Sequence, residues 1–196
     1  DFHTIVAKMA DIPRSQAKVI NLGLFYGMGK AKLQAELGVS KDKAEELFSI
    51  YHERVPFVKS LTKSVSNRAQ QRGQIRTLLG RLCRFHLWEP NQFGIHKALP
   101  FDQARQEYGA GIKRAYTYKA LNKLIQGSAA DMTKKSMLEL YKEGIVAHIQ
   151  VHDELDISVE DDKKAEQIKQ IMESAVELEI PNKVDYESGI NWGDIK

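Results

Sequence analysis

An internal disulfide is excluded at the outset, because the 196 residues include a single cysteine, Cys83, and one thiol cannot bridge its own chain. No apolar run approaches the roughly 20 residues that a membrane-spanning helix needs. A reducing, aqueous compartment is therefore expected. Internal repeats and low-complexity tracts are also missing, and a composition of 42% hydrophobic and 28% charged residues belongs to a globular chain rather than a disordered one. The length suits one ordinary core or two small subdomains. The first residue is Asp1 rather than Met, and no charged segment followed by an apolar stretch precedes the fold. A processed product or a piece of a longer chain is the expectation from that start.

Acid is absent from one long stretch. Between Arg54 and Arg84 stand Arg54, Lys59, Lys63, Arg68, Arg72, Arg76, Arg81 and Arg84 with no Asp or Glu among them. The segment from Asp153 to Glu187 is the reverse, with twelve acidic residues against four basic ones. A single charge run is commonly a solvated helix face. Thirty residues that repel one another without compensation point instead to a polyanion such as a nucleic-acid backbone.

Apolar residues recur at helical spacing through most of the first 140 positions. The clearest helix spans about Arg14 to Tyr26, entered through Pro13, where a missing N–H costs nothing. Another runs from Ser40, a suitable N-cap, to Arg54, and Pro56 separates it from the basic segment. Residues 74–78 and 82–86 read as short strands around Gly80-Arg81. The stretch Leu87 to Gly111 is rich in Pro and Gly and reads as loop with one short helix. A long helix follows from Tyr118 to Tyr141, with Gly127 as its weak point. Residues 145–151 and 155–159 form β-rich runs around His152-Asp153-Glu154, and a last helix covers about 162–177. The expected class is α+β: a mostly helical first region, 1–114, and a second, 115–196, containing a strand hairpin.

Two patterns carry chemistry. Arg14, Lys18, Leu22 and Tyr26 recur every four residues, so a helix presents them along one side over about 18 Å, near the reach of a nucleoside triphosphate. Cations at the N-terminal end of that helix, where the dipole adds positive potential, suit phosphates; the apolar and aromatic end suits sugar and base. By itself this spacing is also that of any amphipathic helix. The second pattern, Val151-His152-Asp153-Glu154-Leu155, places two carboxylates at a hairpin tip without the Gly or Asn that a tight turn favours. Acids at turns are commonly there for solvation.

Together these residues resemble the A-family DNA polymerases, the DNA polymerase I-like enzymes. Arg14-x3-Lys18-x3-Leu22-x3-Tyr26-Gly27 is similar to that family's motif B on the nucleotide-binding fingers helix, and Val151-His152-Asp153-Glu154 is similar to its motif C in the palm. Asp1-Phe2-His3 resembles the D-x-H element, and the short interval from His3 to Arg14 resembles the phage branch more than the longer bacterial linker. Thr77-x2-Gly80-Arg81 resembles T-x2-G-R-R, with Leu82 in place of the second Arg. Asn122-x3-Gln126 resembles the N-x3-Q-G/S run, and Gly189-x-Asn191-Trp192 the terminal G-x-N-W.

The resemblance implies nucleotide contacts from His3, Arg14, Lys18, Leu22 and Tyr26, and catalytic roles for Asp153, Glu154 and Lys18, the lysine as a proton source for pyrophosphate. It implies DNA contacts from Arg81, Asn122, Gln126 and His152, and two Mg²⁺ ions on Asp153 and Glu154. Region 1–114 then corresponds to fingers and 115–196 to part of the palm of an incomplete right hand. Template-directed addition of dNTPs to a primer 3′-OH is the implied reaction, with primer–template DNA and dNTP as partners. The cytoplasm of a bacterial or phage-infected cell is the implied location. Leu22 departs from the pattern, since the family has an aromatic ring there against the incoming sugar. A further metal-binding aspartate, in a D-Y-S-like strand, lies before D-x-H in the family, and an upstream segment in cis or as a second chain is expected to supply it. Two other readings stay open: a single-subunit RNA polymerase segment, whose motif C ends in Ser rather than Glu, and a fragment that binds nucleic acid without turnover.

Overall fold

The computed structural model describes residues 2–92, 94 and 96–195, with the backbone alone for residues 2, 6, 9 and 10. Asp1 of the Asp1-Phe2-His3 element lies outside them. The chain forms two compact units, one of Asp1–Arg76 with Leu82–Leu124 and the other of Thr77–Arg81 with Ile125–Lys196.

The first unit begins with five helices: α1 (Phe2–Ala10), α2 (Arg14–Phe25), α3 (Lys30–Leu37), α4 (Lys41–Arg54) and α5 (Pro56–Arg72). Their limits follow the expected signals. Pro13 precedes α2, and Ser40 caps α4 by accepting from the Lys43 N–H at 3.2 Å, one of the donors a helix start leaves unpaired. Pro56 stands at the first position of α5. Ile20, Leu24, Leu33, Leu47, Tyr51, Val55 and Val58 close over one another as the core of this unit, with Ile12, Phe25, Met28, Leu37 and Phe48 packed around them.

After α5 come the antiparallel pair β1 (Gln74–Arg76) and β2 (Leu82–Arg84), with Ile75 opposite Cys83. Gly73 ends α5 at φ 67°, and a Cβ there would lie 2.7 Å from the Arg114 guanidinium carbon. That guanidinium donates to the Gln70 carbonyl at 3.2 Å and the Phe85 carbonyl at 2.9 Å, and it lies 4.5 Å over the Trp88 ring. One arginine thus ties the end of α5 to the strands that follow.

The Pro- and Gly-rich stretch holds more than the expected short helix. Besides α6 (Phe101–Tyr108) it contains β3 (Trp88–Pro90), which pairs with β4 (Ile112–Arg114). Three-residue strands are too short to show an alternating pattern, and Pro90 and Gly111 mask them further. Helix α7 (Ala120–Lys142) gives its first residues to this unit and the rest to the other.

In the second unit, α7 is followed by β5 (Ile149–Val151), β6 (Glu154–Asp156) and α8 (Asp162–Ser174). Asp161 caps α8 through its carboxylate, which accepts from the Lys164 N–H at 2.7 Å. Leu140, Ile145 and Ile168 form the core here, supported by Leu155, Ile157, Ile171 and Met172. The strands are shorter than the β-rich runs 145–151 and 155–159, because Ile145 enters this core directly after α7 while Val159 is exposed. Three two-stranded antiparallel sheets among eight helices make the fold α+β among the described residues. No helix among them is long and apolar enough to cross a membrane.

Candidate functional site

Helix α2 buries Ala17, Ile20, Asn21 and Leu24 and leaves Arg14, Lys18 and Leu22 on the exposed side. Three members of the four-residue ladder therefore share one solvent-facing edge. The fourth, Tyr26, stands just past the helix as its C-cap, its N–H still bonded to the Leu22 carbonyl at 3.0 Å and its ring edge-on to Phe25 at 5.5 Å. Leu22 is 44% exposed, a large apolar side chain with no share in the core that its helix closes.

His3, on α1, is fastened to the same helix. The Asn21 side-chain nitrogen lies 3.1 Å from His3 Nδ1, and the Tyr51 hydroxyl of α4 donates to Asn21 Oδ1 at 3.1 Å. Burial pushes the Tyr51 hydroxyl up to about 12, so it keeps its proton at any ordinary pH. Sequence reasoning singled out His3 but not Asn21 or Tyr51 as site residues. The signal was present: Asn21 is a polar residue at a position of α2 that the helical period assigns to the core.

The acidic tip is built differently. Val151 pairs with Glu154, Gln150 with Leu155 and Ile149 with Asp156, which leaves His152 and Asp153 as a two-residue turn. His152 takes φ 53° there, the left-handed region that Gly or Asn would enter with less strain. The Gln150 amide nitrogen donates to the His152 carbonyl at 2.5 Å and braces the turn. Leu155 packs into the second core, while His152, Asp153 and Glu154 are exposed. Strand β5 is open to solvent despite its apolar residues: Ile149 is 43% exposed and Val151 38%. Alternation along β6 sends Glu154 and Asp156 to the face opposite Leu155.

Asn122 and Gln126 both lie on α7 and both are exposed. All eight basic residues between Arg54 and Arg84 are exposed as well. Arg81 has a structural engagement that its sequence context did not foretell. Its Nε lies 2.7 Å from Asp131 Oδ1 and its terminal nitrogen donates to the Gly127 carbonyl at 2.8 Å. The Leu78 N–H donates to Ser128 Oγ at 2.9 Å beside them. Burial alone would raise the Asp131 carboxyl, but the Thr77 hydroxyl and the Arg81 guanidinium outweigh it and hold the group below the usual carboxylate range. At Gly127, the weak point of the long helix, a Cβ would come within 2.8 Å of the Thr77 methyl, so a side chain there would force one of the two to shift.

Asp153 and Glu154 are hard oxygen donors of the kind Mg²⁺ takes. They match such an ion in kind but not in number, because among the described residues no three His, Cys, Asp or Glu side chains gather where they could hold a metal.

The DNA polymerase family A profile matches residues 2–194. A DNA-directed DNA polymerase of Pseudomonas phage M6 is 34% identical over 98% of this chain and 31% of its own length. DNA polymerase I of Bacillus caldotenax is 33% identical over 93% of the chain and 20% of its own. Among solved structures, the POL domain of Pol1 from M. smegmatis, in complex with DNA primer-template and dNTP, aligns with 92% of the chain and 32% of its own at a TM-score of 0.69 and 28% identity. The chain spans under a third of each of these relatives. Matched from residue 2 to residue 194, with both motifs in the family's order, the chain belongs to DNA polymerase family A.

Proposed function

We propose that this chain is the C-terminal fingers and palm portion of a DNA-directed DNA polymerase, with 1–114 as fingers and 115–196 as palm, and that it serves template-directed addition of dNTPs to a primer 3′-OH. The observation that carries the reading is the shared exposed edge of Arg14, Lys18 and Leu22 on a helix whose other face is sealed in a core. An incoming triphosphate would lie along that edge, its phosphates against Arg14 and Lys18 and its sugar and base toward Leu22 and Tyr26. Lys18 would hold charge on the phosphates and would protonate the departing pyrophosphate. Primer and template would meet the exposed Asn122, Gln126 and His152, and the exposed part of Arg81. Relatives named as DNA polymerases, together with Glu154 where the RNA enzymes have Ser, favour DNA over RNA synthesis.

Asp153 and Glu154 would hold Mg²⁺, two ions as the family implies, which when bound activate the primer hydroxyl and neutralise the developing pyrophosphate charge. A further carboxylate is needed to complete that ligand set, and we place it on a strand from another part of the full polymerase. Two features support this. The catalytic hairpin is a two-stranded sheet with Ile149 and Val151 exposed, an arrangement that gains from a third strand. No third ligand joins Asp153 and Glu154 among the described residues.

Single-turnover primer extension by the full polymerase tests the assignment. Asp153→Asn is expected to lower the chemical step by about a thousandfold or more, as loss of a charge that stabilises the transition state does, with primer–template affinity nearly intact. Glu154→Gln is expected to be milder. An Asp153→Asn enzyme faster than Glu154→Gln overturns the assignment.

A further inference from the structure

Beneath the exposed edge of α2 lies a short polar relay that the core of the first unit had no apolar reason to include. Asn21 is 5% exposed and Tyr51 3%. A buried amide or hydroxyl without a partner costs free energy, and here each supplies the other. The Tyr51 hydroxyl donates to Asn21 Oδ1, and Asn21 Nδ2 reaches His3 Nδ1 at 3.1 Å. Three helices, α1, α2 and α4, are linked through one side chain.

The direction of the relay follows from the orientation of the Asn21 amide, whose Oδ1 faces the Tyr51 hydroxyl and whose Nδ2 faces the His3 ring. A phenol has one proton to give; once Asn21 Oδ1 has accepted it, the amide turns its NH₂ toward α1. An imidazole nitrogen that faces an N–H donor must be the acceptor, so the ring proton sits on Nε2. Nε2 is then a donor, and a donor is what a phosphate oxygen requires. Position agrees with chemistry, for Asn21 is three residues from Lys18 along α2, about 4.5 Å of helix, so His3 is pinned at the level of the ladder's middle.

We infer that Asn21 and Tyr51 are positioning residues for the incoming nucleotide: through the hydrogen bonds Tyr51 to Asn21 to His3, they fix the orientation and tautomer of His3 so that its Nε2–H faces the triphosphate. The inference rests on the proposed nucleotide-binding role of α2 and deepens it. Neither residue touches the nucleotide. Loss of the relay frees the ring to rotate and to move its proton, at a cost to nucleotide affinity and with little effect on the chemical step.

The test uses the full polymerase, with steady-state extension over a range of dNTP concentrations and ¹⁵N-histidine spectra. Asn21→Leu with Tyr51→Phe removes both buried polar groups at nearly constant volume, which keeps folding nearly neutral; Tyr51→Phe alone is the gentler variant should the double one fold poorly. The double variant is expected to raise the dNTP KM about tenfold, the worth of one hydrogen bond to a charged oxygen, with kcat changed less than about threefold. Tyr51→Phe should move KM in the same direction by less. His3→Ala should raise KM to a similar extent, and adding it to the double variant should raise it no further, because all act through one contact. The His3 resonances, assigned by their loss in His3→Ala, should change from a single Nε2–H pattern to a mixture.

An unchanged KM in the relay variants beside a raised KM in His3→Ala overturns the positioning role and leaves the triphosphate reading standing. An unchanged KM in His3→Ala overturns it too, and Lys18→Ala then tells whether the nucleotide site itself was misplaced. A relay variant that lowers kcat while KM and the spectra stay as in the parent overturns it as well, since a structural defect accounts for that.

Discussion

Helix α2 presents Arg14 and Lys18 from a surface whose opposite face is closed by Ile20, Leu24 and their neighbours, whereas β5 and β6 hold Asp153 and Glu154 on a lone hairpin with Ile149 and Val151 exposed. In the first region the buried amide of Asn21, beneath that edge, already has partners in Tyr51 and His3. In the second, Leu155 alone of the hairpin's strand residues anchors it to the second core, and the turn carries a left-handed His152. A nucleotide-binding surface can be preformed by its own unit, while a site for divalent cations needs carboxylates gathered from several strands. On the proposed reading, the two regions therefore differ in how much of each site this chain supplies.

The sharpest way to break that comparison is to assay the isolated 196-residue chain. It is expected to bind dNTP measurably in equilibrium titration but to extend a primer at well below about 1 s⁻¹, under the ordinary enzyme range. Turnover within that range would show the hairpin to be complete by itself. Within the full polymerase, Lys18→Ala is next in size: about a hundredfold loss in kcat/KM for dNTP, comparable to removal of one preorganised charge from a phosphoryl-transfer site, with duplex affinity unchanged. Normal dNTP kinetics in that variant would remove the lysine from the site.

A smaller effect concerns the contacts around Asp131. Because its folded carboxyl titrates below the ordinary value of 3.8, its contribution to stability is full at neutral pH and is lost as pH falls through that lower folded value. Asp131→Asn should cost about 2 kcal/mol at pH 7, and the difference from the parent should shrink at a strongly acidic pH. Urea unfolding at both pH values measures it, and a gap that persists in acid would assign the loss to packing instead. Smallest is Gly127→Ala. Helix propensity favours Ala by about 1 kcal/mol, yet the Thr77 methyl at 2.8 Å from the new Cβ should turn that into a net loss of about 1 kcal/mol. Thr77→Ser in the same chain should restore stability by removing the methyl.

Long periodic elements were legible in the sequence: α2 behind Pro13, α4 from its Ser40 cap, and α5 from Pro56 all follow signals that act within a few residues. The hairpins around Gly80-Arg81 and His152-Asp153 were legible for the same reason. The pairing of β3 with β4 was not, because its partners are far apart in the chain and too short to alternate. Of the site, the residues matching a motif could be named, but what holds them could not. The engagement of His3 by Asn21, of Asn21 by Tyr51, and of Arg81 by Asp131 are tertiary facts, and no spacing rule connects positions 18, 30 or 50 residues apart.

The five residues Thr77–Arg81 belong to the second unit although both their neighbours in sequence belong to the first. A gene cut after residue 124, the obvious place to express the two units as separate pieces, would therefore leave the second piece without its own part. That piece would expose bare backbone at Gly127 and an acid at Asp131 robbed of its arginine, and it would have to recruit both from elsewhere to fold. Reattaching 77–81 through a linker, rather than trimming the ends, is what would make the hairpin-bearing half a tractable molecule.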